Sequence, residues 1–282
     1  MSQRADLHTH TLASDGTNAP AENVRLAKKQ GLAAVAITDH DTAAGIAEAV
    51  EAGKEEGIEV IPGVEISSVA GGQDIHVLGY FIPYESAELH ERLARLRDAR
   101  HERNKLIVER LRSLGIDITL EAIYAQKQDV EKNIGRPHIA EELVRLGVVE
   151  SIAEAFDKYL GKGGAAYTTP KRMTPEEAIK FIREVGGAAV LAHPGLYGDD
   201  ELVESLIVYG LDGIEVWHPD HDEAAQERYR KLGEEYGLIL TGGSDFHGWR
   251  GEEPYHAMLG SKTAEMTAVE KLRKIASLRK GR

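Results

Sequence analysis

Short apolar runs that stop at a histidine or an acid recur along this 282-residue chain, and most are followed by a longer amphipathic stretch. Ala5 to His8 opens the series. A helical stretch from Ala21 to Gln30 then leads to Ala33-Ala34-Val35-Ala36-Ile37, and another from Gly45 to Glu56 leads to Ile58 to Val64. Ile75 to Tyr80 reads as a fourth strand. The rhythm resumes with a helix at Pro175 to Val185 before a strand at Ala188 to Ala192. It repeats with Asp200 to Tyr209 before Gly213 to Trp217, and with Glu223 to Tyr236 before Leu238 to Thr241. Ala257-Met258-Leu259-Gly260 is the expected last strand and Ala268 to Leu278 the last helix. Strands separated by helices of roughly 10 to 15 residues predict parallel β/α units. Seven or eight of them favour an α/β barrel, closed or distorted, over an open sheet.

One region breaks the pattern. From Glu85 to about Gly164 there is almost no strand signal: a long charged helix, Ser86 to Leu114, precedes helices near Leu120 to Gln126, His138 to Leu146 and Ser151 to Tyr159. The expected organisation is therefore a barrel built from residues 1–84 and 165–282, with residues 85–164 inserted as a helical cap over one mouth.

The chain has no cysteine, which removes disulfides, thiolate metal sites and a thiol nucleophile from consideration. Any metal must sit on imidazole and carboxylate. A net charge of -13 argues against broad adhesion to nucleic acid or anionic membrane, although bound cations can reverse the sign of a pocket locally. No apolar run approaches the roughly 18 residues of a membrane span, and the first residues lack a signal-peptide pattern, so the expected location is the cytoplasm.

Polar groups fall at the strand ends. His8 and His10 end the first strand, Asp39 and His40 the second and Glu65 the third. His76 lies within or just before the fourth, His193 ends the Ala188 strand, and Asp245 and His247 follow the Leu238 strand. In a parallel barrel such ends converge on one mouth. Residues i and i+2 on an extended chain share a face, so His8 and His10 can grip one ion. Asp39 could be a ligand or could orient a neighbouring ligand imidazole. His218 and Asp220 could be functional or pocket wall, whereas His90, His101 and His221 read as solvent-exposed or hydrogen-bonded side chains.

These motifs together, His8-Thr9-His10, Ser14-Asp15-Gly16, Thr38-Asp39-His40, Gly63-Val64-Glu65, His76, Ala192-His193-Pro194-Gly195 and Ser244-Asp245-Phe246-His247, resemble the PHP (polymerase and histidinol phosphatase) superfamily. The resemblance implies a distorted seven-stranded barrel with three divalent ions. It would assign His8, His10, Glu65 and Asp245 to one ion, and Asp15, His40 and His247 to a second. Glu65, His76 and His138 would take a third, with Glu65 bridging. Mn²⁺ is favoured, while Fe²⁺, Zn²⁺ and Mg²⁺ suit the same donors.

Arg136-Pro137-His138 and the insertion of about 80 residues narrow the resemblance to small phosphoesterases of the nucleotide bisphosphatase and RNase type. The implied reaction removes the 3′-phosphate of a nucleoside 3′,5′-bisphosphate, with 5′-to-3′ trimming of short single-stranded RNA as an added activity. A histidinol-phosphate or other small-molecule phosphatase is the alternative, and a non-catalytic binding module a weaker one. No protein partner is implied.

Metal ions that share charge with a phosphoryl group permit attack by water without a covalent enzyme intermediate. His193 is the expected proton donor to the leaving group, with a ligand or supporting role as the alternative; Asp245 could share proton handling. Arg136, Lys158, Lys162 and His218 are the expected substrate contacts, with Lys171 and Arg172 just beyond. Gly161-Lys162-Gly163-Gly164 reads as a hinge or a phosphate nest. Tyr159 is the aromatic side chain expected to stack on a base, ahead of Phe246, Trp217 and Tyr167.

Overall fold

A computed structural model describes residues 3–125, 133–168 and 172–281. An eight-stranded sheet curls almost into a barrel, with the strands in the order β10-β1-β2-β3-β4-β5-β6-β7. The strands are β1 (Arg4–Asp6), β2 (Ala34–Ile37), β3 (Glu59–Ala70), β4 (Gln73–Tyr80), β5 (Ala188–Leu191), β6 (Gly213–Trp217), β7 (Ile239–Gly242) and β10 (Ala264–Glu265). A separate hairpin pairs β8 (Trp249–Arg250) with β9 (Glu253–Pro254). The seam is drawn together where Leu7 N–H donates to Gly242 O at 3.2 Å and His10 N–H to Phe246 O at 2.8 Å. Among the described residues no helix is long and apolar enough to cross a membrane.

The β/α reading is right for β1, β2, β3, β5, β6 and β7, whose mutual pairings are parallel. It fails at β4. Gly71 and Gly72 both take positive φ, so the chain reverses in a tight turn and β4 pairs antiparallel to both β3 and β5. β3 is also longer than the expected Ile58 to Val64. Five residues beyond Glu65 it reaches Ala70, so the hairpin rises as a wall above the mouth. The last strand is not Ala257 to Gly260. Gly260 takes φ 85° and donates its N–H to Asp6 Oδ2, which folds that apolar run into a turn with Leu259 buried. Ala264–Glu265 pairs with β1 instead.

Helices α1 (Pro20–Lys29), α2 (Ile46–Glu56), α7 (Pro175–Glu184), α8 (Asp200–Tyr209), α9 (Glu223–Glu235) and α10 (Met266–Lys280) pack around the sheet. Their starts follow from local chemistry: Thr174 and Glu177 form a capping box on α7, and Asp199 and Asp222 cap α8 and α9. α3 (Ala87–Ser113) begins against the barrel core through Leu89 and Leu93. It ends in a second apolar cluster that holds Ile107, Leu111, Ile123, Ile139, Leu143 and Leu160. That cluster is built with α4 (Leu120–Ala125), α5 (Arg136–Arg145), α6 (Ile152–Ala155) and a π-helical turn over Phe156–Leu160. α3 thus packs into both clusters.

Candidate metal centre

Glu65 stands at the middle of the barrel mouth, almost wholly buried, with each carboxylate oxygen turned to a different set of imidazoles. Oε2 lies 3.3 Å from His8 Nε2, 3.2 Å from His10 Nε2 and 3.1 Å from His40 Nδ1. Oε1 lies 2.8 Å from His76 Nδ1 and 3.1 Å from His193 Nε2. The strands explain the convergence. His8 and His10 leave β1 on one face, Thr9 is pinned between them by donating to Ala36 O at 2.6 Å, and His40 bridges to Glu65 in parallel register.

Three groups of donors surround this carboxylate. His8, His10, Glu65 and Asp245 form one, with Asp245 Oδ1 3.3 Å from His8 Nε2 and 3.1 Å from His10 Nε2. Asp15, His40 and His247 form another beside His10, with Asp15 Oδ1 3.4 Å from His247 Nε2 and Oδ2 3.7 Å from His40 Nε2. The third gathers on Glu65 Oε1 and contains His76 and His193.

These donors fit a bound cation better than they fit each other. His8 Nε2, both ring nitrogens of His10, His40 Nδ1, Asp15 Oδ1 and Glu65 Oε2 are buried without a hydrogen-bond partner. An orphaned buried polar atom costs about 1–3 kcal/mol, more when charged, so several of them facing one another call for a shared positive partner.

The surrounding hydrogen bonds prepare the lone pairs. Glu215, inside β6, lies 3.1 Å from His8 Nδ1 and accepts the His193 backbone N–H at 2.8 Å. His247 Nδ1 lies 2.7 Å from Asp245 O, leaving Nε2 for Asp15. Asp39 is not among the donors. It accepts from Thr11 N, Thr11 Oγ1 and Ser14 Oγ, and so shapes the loop that carries Asp15. Asp6 fastens β1 to the Ser244 turn by accepting from Ser244 N and Oγ. Backbone strain concentrates here too: Asp41, His193, Asp245 and His256 all take positive φ.

Electrostatics follow from the crowding. Burial alone would push the Glu65 carboxyl up, but His40, His76 and His8 outweigh it and hold it well below the usual range. Asp15 and Asp245 are held low in the same way. Burial, reinforced by Arg100, holds His40 well below an ordinary imidazole although Glu65 and Asp15 oppose. His10 goes the other way: burial lowers it, yet the nearby carboxylates of Asp245 and Glu65 prevail and push it up to about 10.

The other expected residues have these partners. His138 stands at the start of α5, where its Nδ1 accepts the Gly135 N–H at 3.1 Å, and His193 stands beside His76 and Glu65. Lys158 is paired with Glu154 on an exposed face, and Lys162 reaches Gln73 Oε1. Lys171 lies outside the described residues. Arg136 faces the cavity but is paired with Asp74 at 2.7 Å. His218 is buried, with Nε2 3.4 Å from Asp245 Oδ2. Tyr159 packs on the second apolar cluster, whereas Phe156 and Tyr255 line the cavity.

The cavity over the donors measures about 430 Å³. Its wall includes residues that sequence reasoning passed over: Asp74, Arg100, Arg103 and His256. Asp74 was within reach, since it lies two residues before His76 and therefore on the same face. Glu215 also carried a signal, as an acid inside the apolar run Gly213 to Trp217.

A family model described as PHP domain matches residues 6–188. The "5'-3' exoribonuclease Rnm" of Escherichia coli is 38% identical over 249 residues, covering 86% of this chain and 84% of that protein. The "3',5'-nucleoside bisphosphate phosphatase" of Chromobacterium violaceum is 34% identical over 247 residues, covering 86% of each. The crystal structure of a putative metal-dependent phosphoesterase from Bifidobacterium adolescentis superposes with a TM-score of 0.87 at 35% identity, over 98% of this chain and 97% of that one.

Proposed function

The chain belongs to the PHP domain family and is a hydrolase of phosphate esters that binds divalent metal; from that premise we propose that it removes the 3′-phosphate from nucleoside 3′,5′-bisphosphates. The observation that carries this reading is Glu65, one carboxylate whose two oxygens face five imidazoles. It would help to hold more than one ion.

Three divalent ions are proposed, Mn²⁺ first. His8, His10, Glu65 and Asp245 would hold one, Asp15, His40 and His247 a second, and Glu65, His76 and His193 a third. Bound there, such ions would offset phosphate charge and make water nucleophilic near neutral pH. His193 moves in this reading from proton donor to ligand, because its Nε2 is turned to Glu65 and its Nδ1 lies 3.3 Å from Tyr197 Oη. Asp245 keeps a double duty, with Oδ1 toward His8 and His10 and Oδ2 toward His218 and His256. Arg136, at the cavity wall, would orient a phosphoryl group.

A cavity of about 430 Å³ suits one nucleotide at a time, whether free or at the end of a short RNA. The names of the relatives support both substrates. Residues 85–164 are proposed as the inserted cap, which brings Arg136 over the mouth.

The test is release of phosphate from adenosine 3′,5′-bisphosphate, adenosine monophosphates, histidinol phosphate and short 5′-phosphorylated RNA, with metal-depleted and Mn²⁺-loaded protein. Faster turnover of histidinol phosphate than of every nucleotide would overturn the substrate assignment.

A further inference from the structure

Tyr197 follows the short helical turn Pro194–Leu196, and its buried ring meets the His193 imidazole edge-on with centroids 5.8 Å apart. Its hydroxyl oxygen lies 2.8 Å from Ala192 O, 3.0 Å from His76 N and 3.3 Å from His193 Nδ1. A hydroxyl has one proton to give and two lone pairs with which to accept. A carbonyl only accepts and an amide N–H only donates. The proton therefore goes to Ala192 O, which is nearer than His76 O at 3.5 Å, and one lone pair takes the His76 N–H. The other lone pair is left for His193, whose Nδ1 must then carry the proton. That frees the lone pair of His193 Nε2, the atom that faces Glu65 Oε1 at 3.1 Å.

The same oxygen serves His76. Ala192 N–H donates to His76 O at 3.2 Å just beyond the last β4–β5 pair, Val77 with Leu191. The His76 N–H on that edge finds Tyr197 in place of a strand partner. His76 Nδ1 in turn lies 2.8 Å from Glu65 Oε1. The backbone of one imidazole residue and the ring of the other are thus tied to a single atom.

The turn itself is anchored without that hydroxyl. Tyr229 Oη donates to Pro194 O at 3.1 Å, His221 Nε2 accepts the Gly195 N–H at 3.0 Å, and Glu215 accepts the His193 N–H at 2.8 Å. These bonds hold the strained His193 backbone at φ 26°. None of them decides which ring nitrogen of His193 carries the proton.

We propose that Tyr197 is a positioning residue for the third ion: its hydroxyl fixes His193 as the Nδ1–H tautomer and holds His76 beside it, so that both imidazoles present lone pairs at Glu65 Oε1. The inference rests on the assignment of His76 and His193 to that ion and deepens it. Tyr197 acts through these ligands and touches no reacting atom. Without the hydroxyl the His193 Nδ1–H has lost its acceptor, and the other tautomer puts a proton where the ion must bind. Loss of such a partner lowers metal affinity by about 10- to 100-fold.

The test compares the parent with Tyr197→Phe, Tyr229→Phe and His193→Ala by equilibrium dialysis against graded free Mn²⁺. Tyr197→Phe should need about 10- to 100-fold more free Mn²⁺ than the parent to fill its last site. Tyr229→Phe removes a bond from the same turn and should melt at a lower temperature, yet fill at the parent's Mn²⁺ concentration. Equal Mn²⁺ requirements in Tyr197→Phe and the parent overturn the inference. So does an equal loss in Tyr229→Phe, which would make anchorage of the turn the cause. His193→Ala decides the premise: if it binds as many ions as the parent at every Mn²⁺ concentration, the third-ion assignment fails and the inference falls with it. Loss of an ion from His193→Ala with none from Tyr197→Phe overturns the inference alone. The parent protein gives an independent reading, because long-range proton–nitrogen correlation NMR of its diamagnetic Zn²⁺ form should show His193 protonated at Nδ1. An unprotonated Nδ1 overturns the inference.

Discussion

His8 Nδ1 stands 3.1 Å from Glu215 Oε1, while His8 Nε2 stands 3.3 Å from Glu65 Oε2. One imidazole is held between two buried carboxylates. Glu215 therefore fixes the proton on Nδ1 and leaves Nε2 as the donor atom, the arrangement that orients metal-binding histidines. Glu215→Gln keeps the shape and removes the charge. It should weaken metal affinity by about 10- to 100-fold, read by metal content after dialysis against a graded chelator. Full retention of metal at every chelator level would refute the role.

Metal uptake should release protons. Without a cation, the nearby carboxylates of Asp245 and Glu65 outweigh burial and push the pKa of His10 up to about 10, and the carboxylates around His8 raise its pKa likewise. Both raised groups must lose their protons to bind metal, so affinity is expected to fall as pH decreases from 9 to 6. Calorimetric titration of Mn²⁺ in buffers of different ionisation enthalpy measures the release directly, and a heat independent of buffer would count against it.

His138 and His193 should behave differently when replaced. His193→Ala removes a group 3.1 Å from Glu65 Oε1 and should lower both metal content and turnover. His138→Ala removes a side-chain acceptor for the Gly135 N–H, a helix-start contact worth about 0.5–2 kcal/mol. Its signature is a lower melting temperature with metal content intact. Metal loss in His138→Ala and not in His193→Ala would favour His138 as the ligand and refute the His193 role proposed above.

How much of this could be read from the chain depends on what a local pattern can encode. His8, His10, His40, Glu65 and Asp245 were legible because each follows an apolar run in a parallel strand, and parallel strands deliver their ends to one mouth. His76 was legible as a residue but not as a place: the Gly71-Gly72 reversal sends β4 antiparallel, so its donors come from the start of the strand. His138 against His193 was not decidable locally. The rotation of α5 relative to the mouth is set by packing against Ile107, Leu111 and Ile123, contacts outside the helix itself. Arg100 and Arg103 were hidden in a long charged helix, where charge reads as solvated surface. Burial by the barrel beneath α3 is what turns those two inward.

The pairing of Asp74 with Arg136 and Arg172 yields the last prediction. Asp74 is held well below the usual carboxylate range, burial opposing and Arg136 and Arg172 prevailing, so it is an anion throughout the neutral range. In Asp74→Asn the arginine cluster loses its shared counter-charge. Breaking a buried pair by removing one partner costs about 3–5 kcal/mol. Added inorganic phosphate supplies the missing negative charge, and a ligand present at 100 times its Kd stabilises by about 2.7 kcal/mol. Phosphate should therefore raise the melting temperature of Asp74→Asn by more than it raises that of the parent protein, both carrying the same metal load. Chloride at matched ionic strength controls for screening, which acts on both proteins alike. An equal phosphate shift in the two proteins would mean that the anion gains nothing from the arginines and binds only among the metal ligands.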